Sequence, residues 1–225
     1  MKSLIRYAAM QLPVARMEQL YSHALHGHVF APRLRAASTF PKRLDLWTDL
    51  ADRIGRNTKI LYLEFGVFAG ESLLAWTQLN QNPSSHFIGF DTFEGLPESW
   101  AGLPQGHFST DGNMPVIDDD RVRFEKGLFQ ATVGPAFKRI EFFEFDQIIV
   151  HFDADLFSST VFSFTQILQY TAKFFAIFDE FSGDEARAFY ALEKAYALDT
   201  EWFAQTIERD RPVQVSCHIT GDFFR

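Results

Sequence analysis

From residue 58 onward one pattern repeats: a short apolar run, most often closed by an acid, followed by a loop or a stretch of helical periodicity. "TKILYLEF" leads to "ESLLAWTQLNQ", "HFIGFD" to a long Gly/Pro-rich loop and "RVRFEKG", "QIIVHFD" to "STVFSFTQILQYTAKF", and "FFAIFDE" to "DEARAFYALEKAYAL". Runs without polar alternation are strands buried on both faces. Helices between them supply the cover, and right-handed crossovers then give a doubly wound, mostly parallel sheet. The fold class is α/β. Near the end, "WFAQTIE" and "PVQVSCHIT" are separated only by the turn-like "RDRP". That predicts a hairpin, hence one antiparallel strand in a sheet of seven.

Before residue 58 the pattern is different. "RMEQLYSHAL" and "LDLWTDLADRI" space apolar residues three or four apart, and Pro32 and Pro41 punctuate the stretch between them. The expected organisation is a helical cap over residues 1–57 and a sheet domain over 58–225. The opening lysine and apolar residues invite an export signal, but Arg6, Gln11 and Pro13 interrupt the run. No small-x-small cleavage pattern follows, and no stretch approaches the ~18 apolar residues of a membrane span. The N-terminus reads instead as an amphipathic helix that covers a site or docks on a partner subunit, as in a homodimer.

A hydrophobic fraction of 47% with 26 phenylalanines belongs to a folded globule rather than a disordered chain. A formal charge of −8 leaves no global basic field for a nucleic-acid backbone. The single Cys217 cannot form an internal disulfide; it reads as small buried filler and suits a reducing compartment, the cytoplasm.

In open α/β sheets ligands bind beyond the carboxyl ends of the strands, where strand order reverses. The segments at those ends are "EFGVFAGES", "DTFEGLPESW", "GLFQAT", "DADLF" and "DEF". Gly66 and Gly70 bracket a tight turn where a ligand can approach the backbone. A phosphate loop would need Lys followed by Ser or Thr, and a dinucleotide fingerprint would need glycine where Phe68 stands. Glu64 beside the turn repels a polyanion but admits a cationic or zwitterionic ligand such as S-adenosylmethionine. A merely tight packing turn is the alternative. Asp91 stands 27 residues after Glu64, where a carboxylate can accept the two hydroxyls of a ribose or, alternatively, only shape a turn. The "DAD" of "IIVHFDADLFSST" has two readings: the metal motif of a sugar-nucleotide glycosyltransferase, or a first aspartate that meets a distant acid.

Together, "LEFGVFAGESL", "FIGFDTFEGLPESW", "VHFDADLFSST" and "FAIFDEF" resemble the class I S-adenosylmethionine-dependent methyltransferases and, among them, the macrocin O-methyltransferase (TylF-like) family, over about residues 58–182. The resemblance implies a Rossmann-like fold. It implies that Glu64, Phe65, Gly66 and Gly70, with Ser72, hold the methionine moiety, and that Asp91 holds the ribose with Thr92 and Phe93 beside it. It also implies a divalent cation, Mg²⁺, on Asp153, Asp179 and Glu180, although the family usually has an aspartate where Glu180 stands. Asp155 then supports that site or caps the following helix. Metal bound at Asp153 would make a substrate hydroxyl easier to deprotonate, and His107, in the long loop "GLPQGHFSTDGNMP", is a candidate proton acceptor. The implied activity is O-methylation of a hydroxylated small molecule, a sugar or natural product. A metal-dependent glycosyltransferase and a non-catalytic cofactor-binding homologue are the rivals. His151 shares the strand face of Asp153 and reads as a core histidine bonded to a neighbour. His23, His26 and His28 read as loop residues.

Overall fold

The computed structural model describes residues 10–208 and 211–222. Residues 1–9, which carry the start of the export-like segment, and 209–210 of the "RDRP" turn lie outside the described residues.

The strands are β1 (Ser38–Phe40), β2 (Ile60–Phe65), β3 (His86–Asp91), β4 (Val122–Lys126), β5 (Gln147–Phe152), β6 (Lys173–Phe178), β7 (Asp199–Glu208) and β8 (Arg211–Thr220). They form one sheet in the order β1-β7-β8-β6-β5-β2-β3-β4. Only β8 runs against the others, pairing antiparallel with both β6 and β7. The expected hairpin and single reversed strand are both present. Among the described residues the sheet has eight strands, not the seven expected, because Ser38–Phe40 pairs in parallel with β7 at Ala204 to Thr206. Three residues at a sheet edge carry no apolar run, so nothing local announces them.

Helices cover both faces. On one side lie α1 (Val14–Leu25), the π turn His26–Phe30, α2 (Ala31–Leu34), α5 (Phe129–Phe137), α6 (Phe157–Ile167) and α7 (Asp184–Ala195); on the other lie α3 (Arg43–Ile54) and α4 (Glu71–Leu79). Residues before 58 enter both cores: Leu25, Phe30 and Leu34 pack in the first, Leu46, Trp47 and Leu50 in the second. His23 lies in α1, and His26 and His28 lie in the π turn, not in the loop expected of them. Helix α3 buries its apolar stripe at Leu46, Trp47, Leu50 and Ala51 and stops at Gly55, whose φ of 94° suits glycine. Among the described residues no helix is long and apolar enough to cross a membrane.

The sheet centre is a phenylalanine ladder. Phe90, Phe65, Phe152 and Phe178, the last or next-to-last residues of β3, β2, β5 and β6, stack side by side with centroids 5.0, 6.0 and 4.9 Å apart and planes within 14°. All four are fully buried. Each buried ring contributes ~1.5–3 kcal/mol from lost water contact, with about 0.5–1.5 kcal/mol more per well-placed pair. Beyond this row the ladder continues for one more residue: Gly66 N–H donates to Phe90 O, Asp153 N–H to Phe65 O and Asp179 N–H to Phe152 O, at 3.0, 2.9 and 2.9 Å. The ladder therefore fixes Asp91, Gly66, Asp153 and Asp179 as a row across four strands.

Candidate functional site

The row opens into a cleft of about 570 Å³ at the carboxyl edge of the sheet, where the strand order reverses between β2 and β5. Such a volume suits a nucleoside-sized ligand and a small partner. Of the residues singled out in the sequence, Gly66, Asp91, Thr92, Asp153, Asp179 and Glu180 line it; Glu64, Phe65, Gly70, Ser72, Phe93 and His107 do not.

The glycine turn is the tightest part of the wall. Gly66 has φ 93°, and a Cβ there would lie 1.8 Å from the Asp153 carbonyl oxygen. Only glycine lets the two strand ends touch. Gly70, φ 80°, opens α4, and a Cβ on it would meet Pro115 at 2.9 Å. Asp91 organises the turn from the neighbouring strand: Oδ2 accepts from Val67 N–H (2.7 Å) and Phe68 N–H (2.9 Å), and Oδ1 from Phe93 N–H (2.7 Å). Phe65 stays in the aromatic ladder beneath, and Phe93 is 1% exposed.

Glu64 lies under the turn, fully buried. Its Oε1 accepts from Ser72 Oγ at 2.7 Å and its Oε2 from the Tyr62 hydroxyl at 2.6 Å. Because Tyr62 gives its proton to Glu64, the Nδ1 of buried His151, 2.8 Å from the same hydroxyl, is the donor in that contact. The core-histidine reading of His151 matches this network of β2, β5 and α4. Its Nε2 faces Asp179 Oδ1 at 3.9 Å, too long for a hydrogen bond but close enough for charge. Burial alone would lower the imidazole pKa; the neighbouring carboxylates of Asp179 and Glu64 outweigh it and push the group up to about 10.

The β5–β6 side is crowded with acid. Burial and then Asp179 push the Asp153 carboxyl well above the usual range. Burial, then Glu180 and Asp179, push Asp155 up to about 7. Asp155 does not cap α6: Leu156 occupies the N-cap and no side-chain cap bond is made, while Asp155, at φ 59°, faces the cleft. Asp179 is the best-partnered of the group. Its Oδ2 lies 2.8 Å from the Arg43 guanidinium, and its Oδ1 accepts from Gln214 Nε2 of β8.

Among the described residues, the donors that converge closely enough for one ion are His151, Asp153 and Asp179, within 4.8 Å of one another. Glu180 is not in that group. The set fits Mg²⁺ poorly as it stands: this hard ion wants near-octahedral oxygen ligands, whereas one donor is a ring nitrogen held toward its protonated form and one carboxylate already carries a guanidinium.

His107 is exposed on the loop 92–121, its ring packed on Phe108 at 4.3 Å, and its backbone carbonyl accepts from Leu96 N–H at 2.9 Å. Phe108, not His107, reaches the cleft, where it meets Phe68 edge-on at 5.9 Å. Sequence reasoning missed Arg43, Gln214, Phe68 and Phe108. Only Arg43 left a signal: a cation at the first position of a helix opposes the helix dipole and asks for a partner.

No protein-family model and no curated protein matches the sequence. Solved structures do match the fold. The O-methyltransferase NovP is 20% identical over 77% of this chain and 78% of its own, with a TM-score of 0.56. TomG from Streptomyces achromogenes, an O-methyltransferase involved in tomaymycin synthesis and solved with SAM, is 15% identical over 91% and 90%, with a TM-score of 0.53. The O-methyltransferase from Bacillus cereus, solved with SAH, is 13% identical over 97% of both chains, with a TM-score of 0.50. At these identities the likeness is one of fold: the chain has the Rossmann-like architecture of the class I methyltransferases, with a helical N-terminal region.

Proposed function

We propose that this chain is an S-adenosylmethionine-dependent O-methyltransferase acting on a hydroxyl of a small molecule, a sugar or natural product, in the manner of the macrocin O-methyltransferase family. The observation that carries the reading is the row Asp91, Gly66, Asp153, Asp179 along one cleft, in a fold shared with methyltransferases solved with SAM or SAH. Asp91, beyond its three backbone donors, keeps lone pairs for ribose hydroxyls, with Thr92 beside it. The Gly66–Gly70 turn presents backbone to the methionine moiety. Glu64 acts from below, setting the turn through Ser72, with Phe65 and Phe93 as its apolar bed. In the transfer, the acceptor oxygen attacks the sulfonium methyl: an O–C bond forms, the S–C bond breaks, and S-adenosylhomocysteine leaves. Asp153, as the carboxylate, is the group already in the cleft to take the acceptor proton, and its raised proton affinity makes that form a stronger base than a free aspartate; His107 would do so only in a form of its loop that turns inward. Catalysis rests mainly on alignment.

A sugar-nucleotide transferase fits the wall less well. Among the described lining residues Asp91, Glu98, Asp153, Asp155, Asp179 and Glu180 face a single base, Arg43, and a diphosphate there would be repelled. The cytoplasm is the compartment we assign, on the lone reduced Cys217, and a homodimer through the exposed Val14, Met17, Leu20 and Tyr21 stripe of α1 is the assembly to test. The reading is checked by calorimetry with S-adenosylhomocysteine: micromolar binding is expected, whereas binding of UDP or GDP in its place would overturn it.

A further inference from the structure

Helix α3 reaches the acid side of the cleft with Arg43 and, one turn on, the core behind it with Trp47. Trp47 packs edge-on against His151 at 6.0 Å, and Arg43, at the first helical position, reaches Asp179 Oδ2 at 2.8 Å. With Lys42 as N-cap, two basic residues begin a helix whose dipole disfavours them; the Asp179 carboxylate offsets this for Arg43. Asp179 itself is held in place, 4% exposed, by Gln214 from the reversed strand β8. Among the described residues lining the cleft Arg43 is the only base, set against Asp153, Asp155, Asp179 and Glu180 on the same side. The guanidinium thus meets Asp179 from the cleft side, while buried His151 faces the same carboxylate from the core. A divalent ion drawn to Asp153 and Asp179 would have to sit beside the guanidinium.

We propose that Arg43 takes the place of the divalent cation: its guanidinium neutralises the Asp153–Asp179 site, and the chain carries out its transfer without a bound metal. The transfer in this statement rests on the function proposed above; the placement of charge does not. The experiment is a titration of Mn²⁺ alone, followed by loss of the free-ion paramagnetic signal, into the wild type, Arg43→Met and Arg43→Gln, the last kept in case the apolar replacement does not fold. The wild type is expected to show no saturable site. At least one folded neutral variant should acquire one, with affinity raised at least about tenfold, a modest share of the repulsion removed with one charge at an effective dielectric of about 20. Asp153→Asn added to that variant should remove the site again. Saturable Mn²⁺ binding by the wild type that Asp153→Asn abolishes, or no gain in either folded neutral variant, would overturn the proposal. S-adenosylhomocysteine calorimetry on the same samples reports separately on the methyltransferase reading, so the failure of one is distinguishable from the failure of the other.

Discussion

The two sides of the cleft share one sheet but treat their carboxylates in opposite ways. On the β2–β3 side the acids are anchored by folding: Asp91 holds three backbone N–H groups and Glu64 two hydroxyls. On the β5–β6 side the carboxylates of Asp153, Asp155 and Glu180 make no side-chain hydrogen bond among the described residues, and Arg43 is the counter-charge at the wall. The first side is therefore a shape set before any ligand arrives. The second stores repulsion that a ligand or a charged side chain can relieve.

The largest expected effect breaks the contact that joins the two. Gly66→Ala places a methyl 1.8 Å from the Asp153 carbonyl and should cost at least about 3 kcal/mol in urea unfolding. Gly102→Ala is the control, because Gly102 also has a positive φ but nothing within 4 Å of its would-be Cβ; it should cost about 1 kcal/mol. Equal costs would mean that backbone strain, not the strand contact, is what matters at Gly66. Next, Asp91→Ala should weaken S-adenosylhomocysteine about a hundredfold, the scale of lost hydrogen bonds to a charged acceptor. Unchanged affinity by calorimetry would leave the β2–β3 side without its assigned ligand.

The smallest effect probes the stored repulsion. Asp155 is raised to about 7, first by burial and then by Glu180 and Asp179, while the unfolded chain keeps an aspartate near about 3.9. The folded protein then binds this proton more tightly than the unfolded one, so stability falls as pH rises from about 4 to about 7. Asp155→Asn should remove part of that fall: melting temperatures of variant and wild type should agree near pH ~4 and separate in favour of the variant near pH ~8. Parallel curves would show that the two sides of the cleft do not differ in this way.

The sheet, its reversed strand and the acids at its edge were legible because each depends on a local pattern: an apolar run, a turn between two such runs, an acid where a run stops. A phenylalanine just before each of Gly66, Asp91, Asp153 and Asp179 is the plainest trace of the ladder beneath the cleft. The edge strand β1 was not legible, since its pairing is set by β7, far along the chain. Nor was the burial of Glu64, although Tyr62 two residues earlier on the same strand face and Ser72 in the first turn of α4 were both in view; their convergence needs the turn to be folded. Arg43 and Gln214 come from opposite ends of the chain to meet at Asp179, and no spacing rule connects them.

With no side chain between the Gly66 backbone and the Asp153 carbonyl, the joint between the halves of the cleft has no compliant layer. A displacement of a few tenths of an ångström in one main chain is passed undamped to the other, so whatever seats itself against the turn also sets the position from which Asp153 meets its neighbour.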